Sequence, residues 1–433
     1  MSQHDPSPGE VSAPTISPAR ARVLLAALVL GYIGVYLCRK NFSVAVPLIR
    51  EAFNLSKEQI GIVASASTLA YMIGKFTFGP LIDRFGGRAS LLLAMLAVAV
   101  FGAAGGLVGT LPLLTLVYSL NRLAGSAGWG AMVKLVPDWF AGRHLPLAMA
   151  VLSLSFVFGG VCATLLAGEI AAWSGNNWRW VMGGPALVLA AILVLCWAVL
   201  PRASATSRPC AGTAGPARTA EGFEFRKIGE LARIRQFWVV CALSFTLTLL
   251  RETFNTWTVD FFKESGGAEM SSRIAAFLST PFDALGAVGI VLLGWVFGRT
   301  TPTARKRLLF ALLLALAGLV FLLPALARHH VLAATAAVGA IGFLAYGPYS
   351  LLAGILAVEI RGKAYVATVA GMVDGVGYLA AILAGKQFGR VLDLGGYDLG
   401  FSCLAALAAA SAVLCLFLYG GRRMPELRRQ HED

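Results

Sequence analysis

Residues 22–47 read RVLLAALVLGYIGVYLCRKNFSVAVP, an apolar stretch of membrane-crossing length with Arg39 and Lys40 set inside it. An α-helix needs about 20 such residues to cross roughly 30 Å of hydrocarbon. The stretch is too long for a signal-peptide core and lacks a cleavage site, so it reads as a first transmembrane helix. Runs like it recur at 58–82, 89–109, 112–138, 147–172, 178–200, 237–263, 272–298, 307–326, 330–358, 364–390 and 398–420, twelve in all. With 58% apolar and 13% charged residues, the composition excludes an ordinary soluble domain. The expected fold is an all-α membrane protein.

Lys and Arg concentrate in the loops on the side of both termini, which predicts that N and C termini are cytoplasmic and the protein multi-pass in the cell (inner) membrane. The net charge of +14 is then mostly a topology signal facing anionic lipid, not a nucleic-acid footprint. The seven cysteines form no CxxC pair, so neither a metal site nor disulfides are expected, and no cofactor is implied. Neither HExxH, nor GxSxG with partners, nor a phosphate loop is present; Gly385-Lys386-Gln387 lacks the leading glycine and lies in a span. An enzyme or an ATP-driven pump is not the expectation.

Residues 1–19, rich in Ser and Pro, read as a disordered cytoplasmic N-terminus. Residues 201–236, with Pro201, Pro209, Gly212, Gly215 and Pro216 before a basic amphipathic stretch from Phe223 to Arg235, read as a cytoplasmic linker. It separates bundles of six spans at 20–200 and 237–420, and 421–433 remain as a cytoplasmic tail. The halves carry a weak repeat. Gly79-Pro80-Leu81-Ile82-Asp83-Arg84-Phe85-Gly86-Gly87-Arg88 follows span two, and Gly294-Trp295-Val296-Phe297-Gly298-Arg299 with Arg305 follows span eight, without the acid. Such a turn lets two helices approach while Asp83, Arg84 and Arg88 cap or pair across the interface between halves.

Arg39, Lys75 and Arg251 interrupt apolar spans. A cation at mid-bilayer costs about 2.5–3.5 kcal/mol on insertion scales, so such residues face a polar pathway. Arg39 and Arg251 fall near the middle of corresponding helices in the two halves and are expected to face each other. Two guanidinium forks can clamp a phosphate. The alternative is that each is neutralised by a buried acid. Glu252 is the best candidate for that, but as a sequence neighbour it projects about 100° away from Arg251 around the helix. Lys75 either joins the cavity, as Tyr71 one turn earlier suggests, or snorkels to headgroups.

The chain resembles the major facilitator superfamily, and within it the organophosphate:phosphate antiporters, which include glycerol-3-phosphate, hexose-phosphate and phosphoglycerate carriers. The resemblance rests on Tyr36-x-x-Arg39-Lys40-Asn41-Phe42, Ala70-Tyr71-x-x-x-Lys75-Phe76, Gly128-Trp129, Leu250-Arg251 and Gly342-Phe343-Leu344-Ala345-Tyr346-Gly347-Pro348, in order along nearly all spans. It implies two pseudo-symmetric six-helix bundles rocking about a central site. It places Tyr32, Tyr36, Tyr71, Trp129, Tyr346 and Tyr378 along that site and pairs Lys40 with Asp283 as a gate on the outer side. Lys386 matches a position where some members carry a lysine, which would suit a substrate with a carboxylate beside its phosphate, although Asp374 weakens that reading. The sequence departs from the family where Phe156 replaces a site histidine, which disfavours glycerol-3-phosphate. It departs again where Arg122, in Arg122-Leu123-Ala124-Gly125-Ser126-Ala127-Gly128, follows a motif of proton-coupled relatives.

The expected function is therefore alternating-access transport of an organic phosphate by a monomer in the lipid bilayer, in exchange for inorganic phosphate. Two alternatives stay open. One is a proton-coupled carrier of another solute, using Arg122 with Glu169, Glu252 or Asp374. The other is a sugar-phosphate receptor that signals through 201–236.

Overall fold

The structure is a computed structural model that describes residues 17–140, 144–201, 233–267, 270–352 and 366–418. Most of the expected N-terminal segment, nearly all of the linker and the C-terminal tail lie outside the described residues. The helices of the first half are α1 (Pro18–Phe53), α2 (Lys57–Phe85), α3 (Gly87–Gly105), α4 (Leu111–Leu135), α5 (His144–Trp173), α6 (Trp178–Gly183) and α7 (Pro185–Val199). Those of the second are α8 (Arg235–Ser265), α9 (Ser272–Ser279), α10 (Pro281–Arg299), α11 (Pro302–His329), α12 (Val331–Leu352), α13 (Val366–Leu383) and α14 (Lys386–Cys415). Among the described residues, ten helical stretches are long and apolar enough to cross a membrane.

The twelve crossings follow from how these pieces join. Pro185 and Pro281 break spans six and eight into short and long helices, since proline tolerates only the first turn of a helix. Span one begins at Pro18, inside the segment expected to be disordered. Ser17 caps the helix by accepting a hydrogen bond from Arg20 N, so residues 17–19 of that segment are a Ser-Pro helix start. Span eleven continues past Gly385 into the first part of α14. Successive contacts along α2 trace this course, from Ser65 Oγ to Ile382 O (2.6 Å) out to Lys57 N on Asp393 Oδ1 (2.8 Å). The chain then reverses at Gly395-Gly396, where Gly396 takes φ 62°, and Tyr397–Cys415 returns as span twelve.

Both ends of the described chain therefore lie on one face, here the terminal face. The opposite, far face carries the turns 54–56, 174–177 and 395–396. Trp173 and Trp180 ring the surface near the far face and Trp197, Trp238 and Trp295 near the terminal face, all exposed. Two aromatic girdles of this kind mark the two interfaces of a bilayer.

Packing is asymmetric between the faces. One buried apolar cluster, including Val46, Ile49, Ile60 and Val181 of the first half and Phe254, Trp257 and Phe261 of the second, fuses the halves near the far face. A second cluster, towards the terminal face, contains residues of the first half only. Ion pairs follow the same division. Arg50 donates to both oxygens of Asp260 (2.8 and 3.1 Å), and Tyr397 Oη donates to Asp260 Oδ2 (2.7 Å). Lys57, Lys263 and Arg273 meet Glu264, Glu51 and Glu169 at 2.5–2.7 Å. The four ion pairs cross between halves at the far face, while Tyr397 braces Asp260 from within the second half, so the structure is closed there.

Candidate functional site

Between the halves lies a cavity of about 370 Å³, lined from the first half by Tyr32, Tyr36, Arg39, Lys75, Arg122 and Trp129, among others, and from the second by Arg251, Glu252, Asn255, Tyr346, Tyr349, Asp374 and Tyr378. Its volume is within the range of about 300–1,000 Å³ typical of small-ligand sites. The far-face ion pairs close one end of it.

α1 supplies one wall. Arg39 Nη1 donates to Tyr36 Oη (3.2 Å), and its guanidinium carbon lies 4.8 Å from the centre of the Tyr71 ring. Tyr118 Oη donates to the Arg39 carbonyl (2.7 Å), fixing α1 against α4 at this level. The Tyr71 ring also carries the Arg122 guanidinium at 4.8 Å and the Lys75 ammonium at 5.6 Å. Three cations thus gather around one electron-rich face system, each contact worth roughly 0.5–2 kcal/mol. Tyr32 stands edge-on to Tyr36 (5.2 Å) and beside Trp129 (5.7 Å), and Tyr71 meets Tyr378 across the halves (5.7 Å).

The opposite wall comes from α8 and α12. Arg251 lies over Tyr349 (4.1 Å) and Tyr346 (5.6 Å), and its Nη2 donates to Glu252 Oε1 (3.2 Å). Nearer the far face Lys40 donates to Asp283, whose other oxygen accepts from Tyr346 Oη (2.9 Å). Gly160 allows this approach, because a Cβ there would press on the Asp283 carboxylate at 2.9 Å. Five cations and three carboxylates line the cavity, leaving two positive charges in excess. Lys40 and Arg251 each bond one acid, so Arg39, Lys75 and Arg122 face the space with only Asp374 to offset them.

Residues 28–385 match the family model described as Major Facilitator Superfamily. The chain belongs to that superfamily. A probable hexose phosphate transport protein of Chlamydia pneumoniae is 26% identical over 412 residues, spanning 90% of this chain and 88% of its own. The membrane sensor protein UhpC of Salmonella typhimurium is 26% identical over 424 residues, 95% of this chain and 93% of its own. Among solved structures, a bacterial homologue of the human lysosomal transporter Spinster, inward-facing and unoccupied, aligns with a TM-score of 0.76 at 17% identity, over 95% of this chain and 100% of that one. This last likeness concerns the fold alone.

The superfamily fold brings Arg39, Lys75, Tyr32, Tyr36, Tyr71, Trp129, Tyr346, Tyr378 and Arg251 to one cavity, as the sequence suggested. Three expectations are corrected. Lys386 does not line the cavity. It lies eight residues beyond Tyr378, about 12 Å further towards the far face at 1.5 Å per residue. There its half-exposed ammonium faces Glu58 at 3.8 Å. Arg251 is not free of Glu252, because a long guanidinium stem swings across the angle that separates adjacent helix positions. Asp83 and Arg88 do not pair between halves. Asp83 accepts from Lys134 (2.8 Å), and Arg88 donates to the carbonyls of Leu200 and Trp197 (3.0 Å each), which caps α7 of the same half. Arg84 stacks on its neighbour Phe85 at 5.8 Å. Among the described residues, these arginines meet only their own bundle. Arg122, expected to act in gating or coupling, lies in the cavity wall beside Arg39.

Sequence reasoning missed Tyr349, Asn255 and the Arg50–Asp260–Tyr397 cluster. Asn255 stands one helical turn beyond Arg251 and Tyr349 three residues after Tyr346, so helical spacing could have flagged both. Nothing local marks Asp260 as the partner of Arg50, a pairing over 210 positions.

Proposed function

We propose that this chain is a secondary active transporter of an organic phosphate of the sugar phosphate, glycerol phosphate or phosphoglycerate class, exchanged for inorganic phosphate by alternating access. The observation that carries this reading is the charge of the cavity: among the described residues, Arg39, Lys75 and Arg122 stand without a bonded carboxylate in a wall rich in aromatic rings. A phosphate monoester bears about −1.5 to −2 charges near neutral pH, which matches the excess of two. The hexose phosphate role named for the Chlamydia relative agrees with this chemistry.

Exchange follows from the same charges. With the site empty, cations in low dielectric repel one another and oppose closure of the halves around them. An anion removes that penalty, so the loaded carrier rocks and the empty one stays open. Lys40–Asp283 and the far-face ion pairs form when the far side is shut and separate when it opens. In this reading the carrier works as a monomer in the cell (inner) membrane with both termini in the cytoplasm, and the structure is its inward-open state.

A thermal-shift screen of purified protein against phosphate, glucose 6-phosphate, glycerol 3-phosphate and 3-phosphoglycerate tests the substrate class, because a ligand that binds the folded state raises its apparent stability by mass action. No shift with any of the four contradicts the reading. The sensor role named for the Salmonella relative gives a second possibility, a receptor that binds without transport. Binding with no flux in proteoliposomes selects it.

A further inference from the structure

Among the described residues, Arg122 is a buried cation without a bonded acid. The residue is 6% exposed, its Nε is buried without a hydrogen-bond partner, and its guanidinium lies over the face of the Tyr71 ring. Leaving even one buried guanidinium N–H, here Nε, without an acceptor is costly. The helix around it is not free to turn it away, since the preceding Asn121 is anchored by Nδ2 to Val98 O at 2.9 Å. Arg39 lies at the same 4.8 Å from the same ring and has one side-chain partner, Tyr36. The guanidinium of the opposite half, Arg251, is already engaged by Glu252.

Resting on the phosphate-carrier reading above, we propose that Arg122 is a phosphate ligand. Arg39 and Arg122, both from the first half and on one ring, grip the phosphoryl group, and Arg251 stays with Glu252. Two forks presented from one bundle hold the tetrahedral oxygens without needing the halves to close. The second half then reads the organic part. It offers the acceptors Glu252 and Asp374 and the amide of Asn255, whose Oδ1 is buried and unpartnered. Acceptors suit hydroxyl donors and repel a further anion, and Lys386, which could have met a carboxylate, is outside the cavity. The substrate class is a phosphorylated sugar or polyol.

The test is calorimetric titration of the full-length protein in nanodiscs with inorganic phosphate, glucose 6-phosphate and 3-phosphoglycerate. Arg122→Gln weakens phosphate binding at least tenfold, about as much as Arg39→Gln, whereas Arg251→Gln changes it less than threefold. Glucose 6-phosphate binds the wild type tighter than 3-phosphoglycerate. If Arg122→Gln does not yield folded protein, Arg122→Lys decides by the same criterion, since it keeps the charge and loses the fork. Phosphate binding within threefold of wild type in the Arg122 variant, with binding lost in Arg39→Gln, overturns the role of Arg122 and leaves the carrier reading standing. Tighter binding of 3-phosphoglycerate than of glucose 6-phosphate overturns the polyol assignment. A wild type that binds none of the three overturns both.

Discussion

Replacing Asp260 by Asn tests whether the far-face cluster holds the protein in the state seen here. Asp260 has 3% of its side chain exposed, accepts two hydrogen bonds from Arg50 and one from Tyr397, and joins α1 to α8 and α14. The substitution keeps size and removes charge. Losing one partner of a buried ion pair costs about 3–5 kcal/mol. Because the Arg50 side chain is 25% exposed, the lower end applies. The loss of the Arg50 pair falls on the state in which the far face is shut, since Arg50 and Asp260 belong to opposite halves and separate when it opens, whereas the Tyr397 bond lies within one half and is common to both states. A change of about 3 kcal/mol moves the equilibrium between the two states roughly 100-fold towards the far-open form. Spin labels at Ala52 and Leu394, both exposed at the far face on opposite halves, report the change by double electron–electron resonance in a background lacking the native cysteines. Wild type gives a short distance and Asp260→Asn a predominantly longer one. An unchanged distance distribution in the variant refutes the latch.

Three further outcomes follow from particular contacts. Gly61→Leu should open the far face in the same spin-label experiment, because even a Cβ at Gly61 would stand 2.5 Å from the Gly385 carbonyl oxygen, a backbone atom that cannot yield. Lys386→Ala should leave phosphate affinity within twofold of wild type by calorimetry, its ammonium being directed at Glu58 and away from the cavity. Arg88→Ala should lower unfolding stability by about 1–3 kcal/mol through loss of charge-assisted bonds to the end of α7, seen as a reduced thermal midpoint with phosphate affinity unchanged.

The span count, the division into halves and the central position of Arg39, Lys75 and Arg251 were legible in the sequence because bilayer thickness sets a minimum length for each helix. A cation inside such a run has few places to go. What the sequence hid depends on side-chain reach and on conformational state. Adjacent positions diverge by about 100° at the backbone, yet Arg251 still reaches Glu252 because its charge sits at the end of a long flexible stem. Lys386 follows the right helix, but a few turns carry it past the cavity. Asp83, Arg84 and Arg88 belong to a turn whose partners across the halves depend on which face is shut, and a sequence describes all states at once. In the sequence Arg122 stands out only through a motif of proton-coupled relatives. Its position against the ring that also holds Arg39 is what puts it in the cavity wall.

The central claim is that anion binding permits the halves to rock, so that phosphate leaves only as another phosphorylated solute enters. Proteoliposomes loaded with radiolabelled inorganic phosphate and diluted into buffer with or without glucose 6-phosphate test it most directly. The account predicts efflux that is slow in plain buffer, accelerated many-fold by external glucose 6-phosphate, and abolished by Arg39→Gln. Equally fast efflux in both buffers, or no acceleration by any organic phosphate, contradicts it.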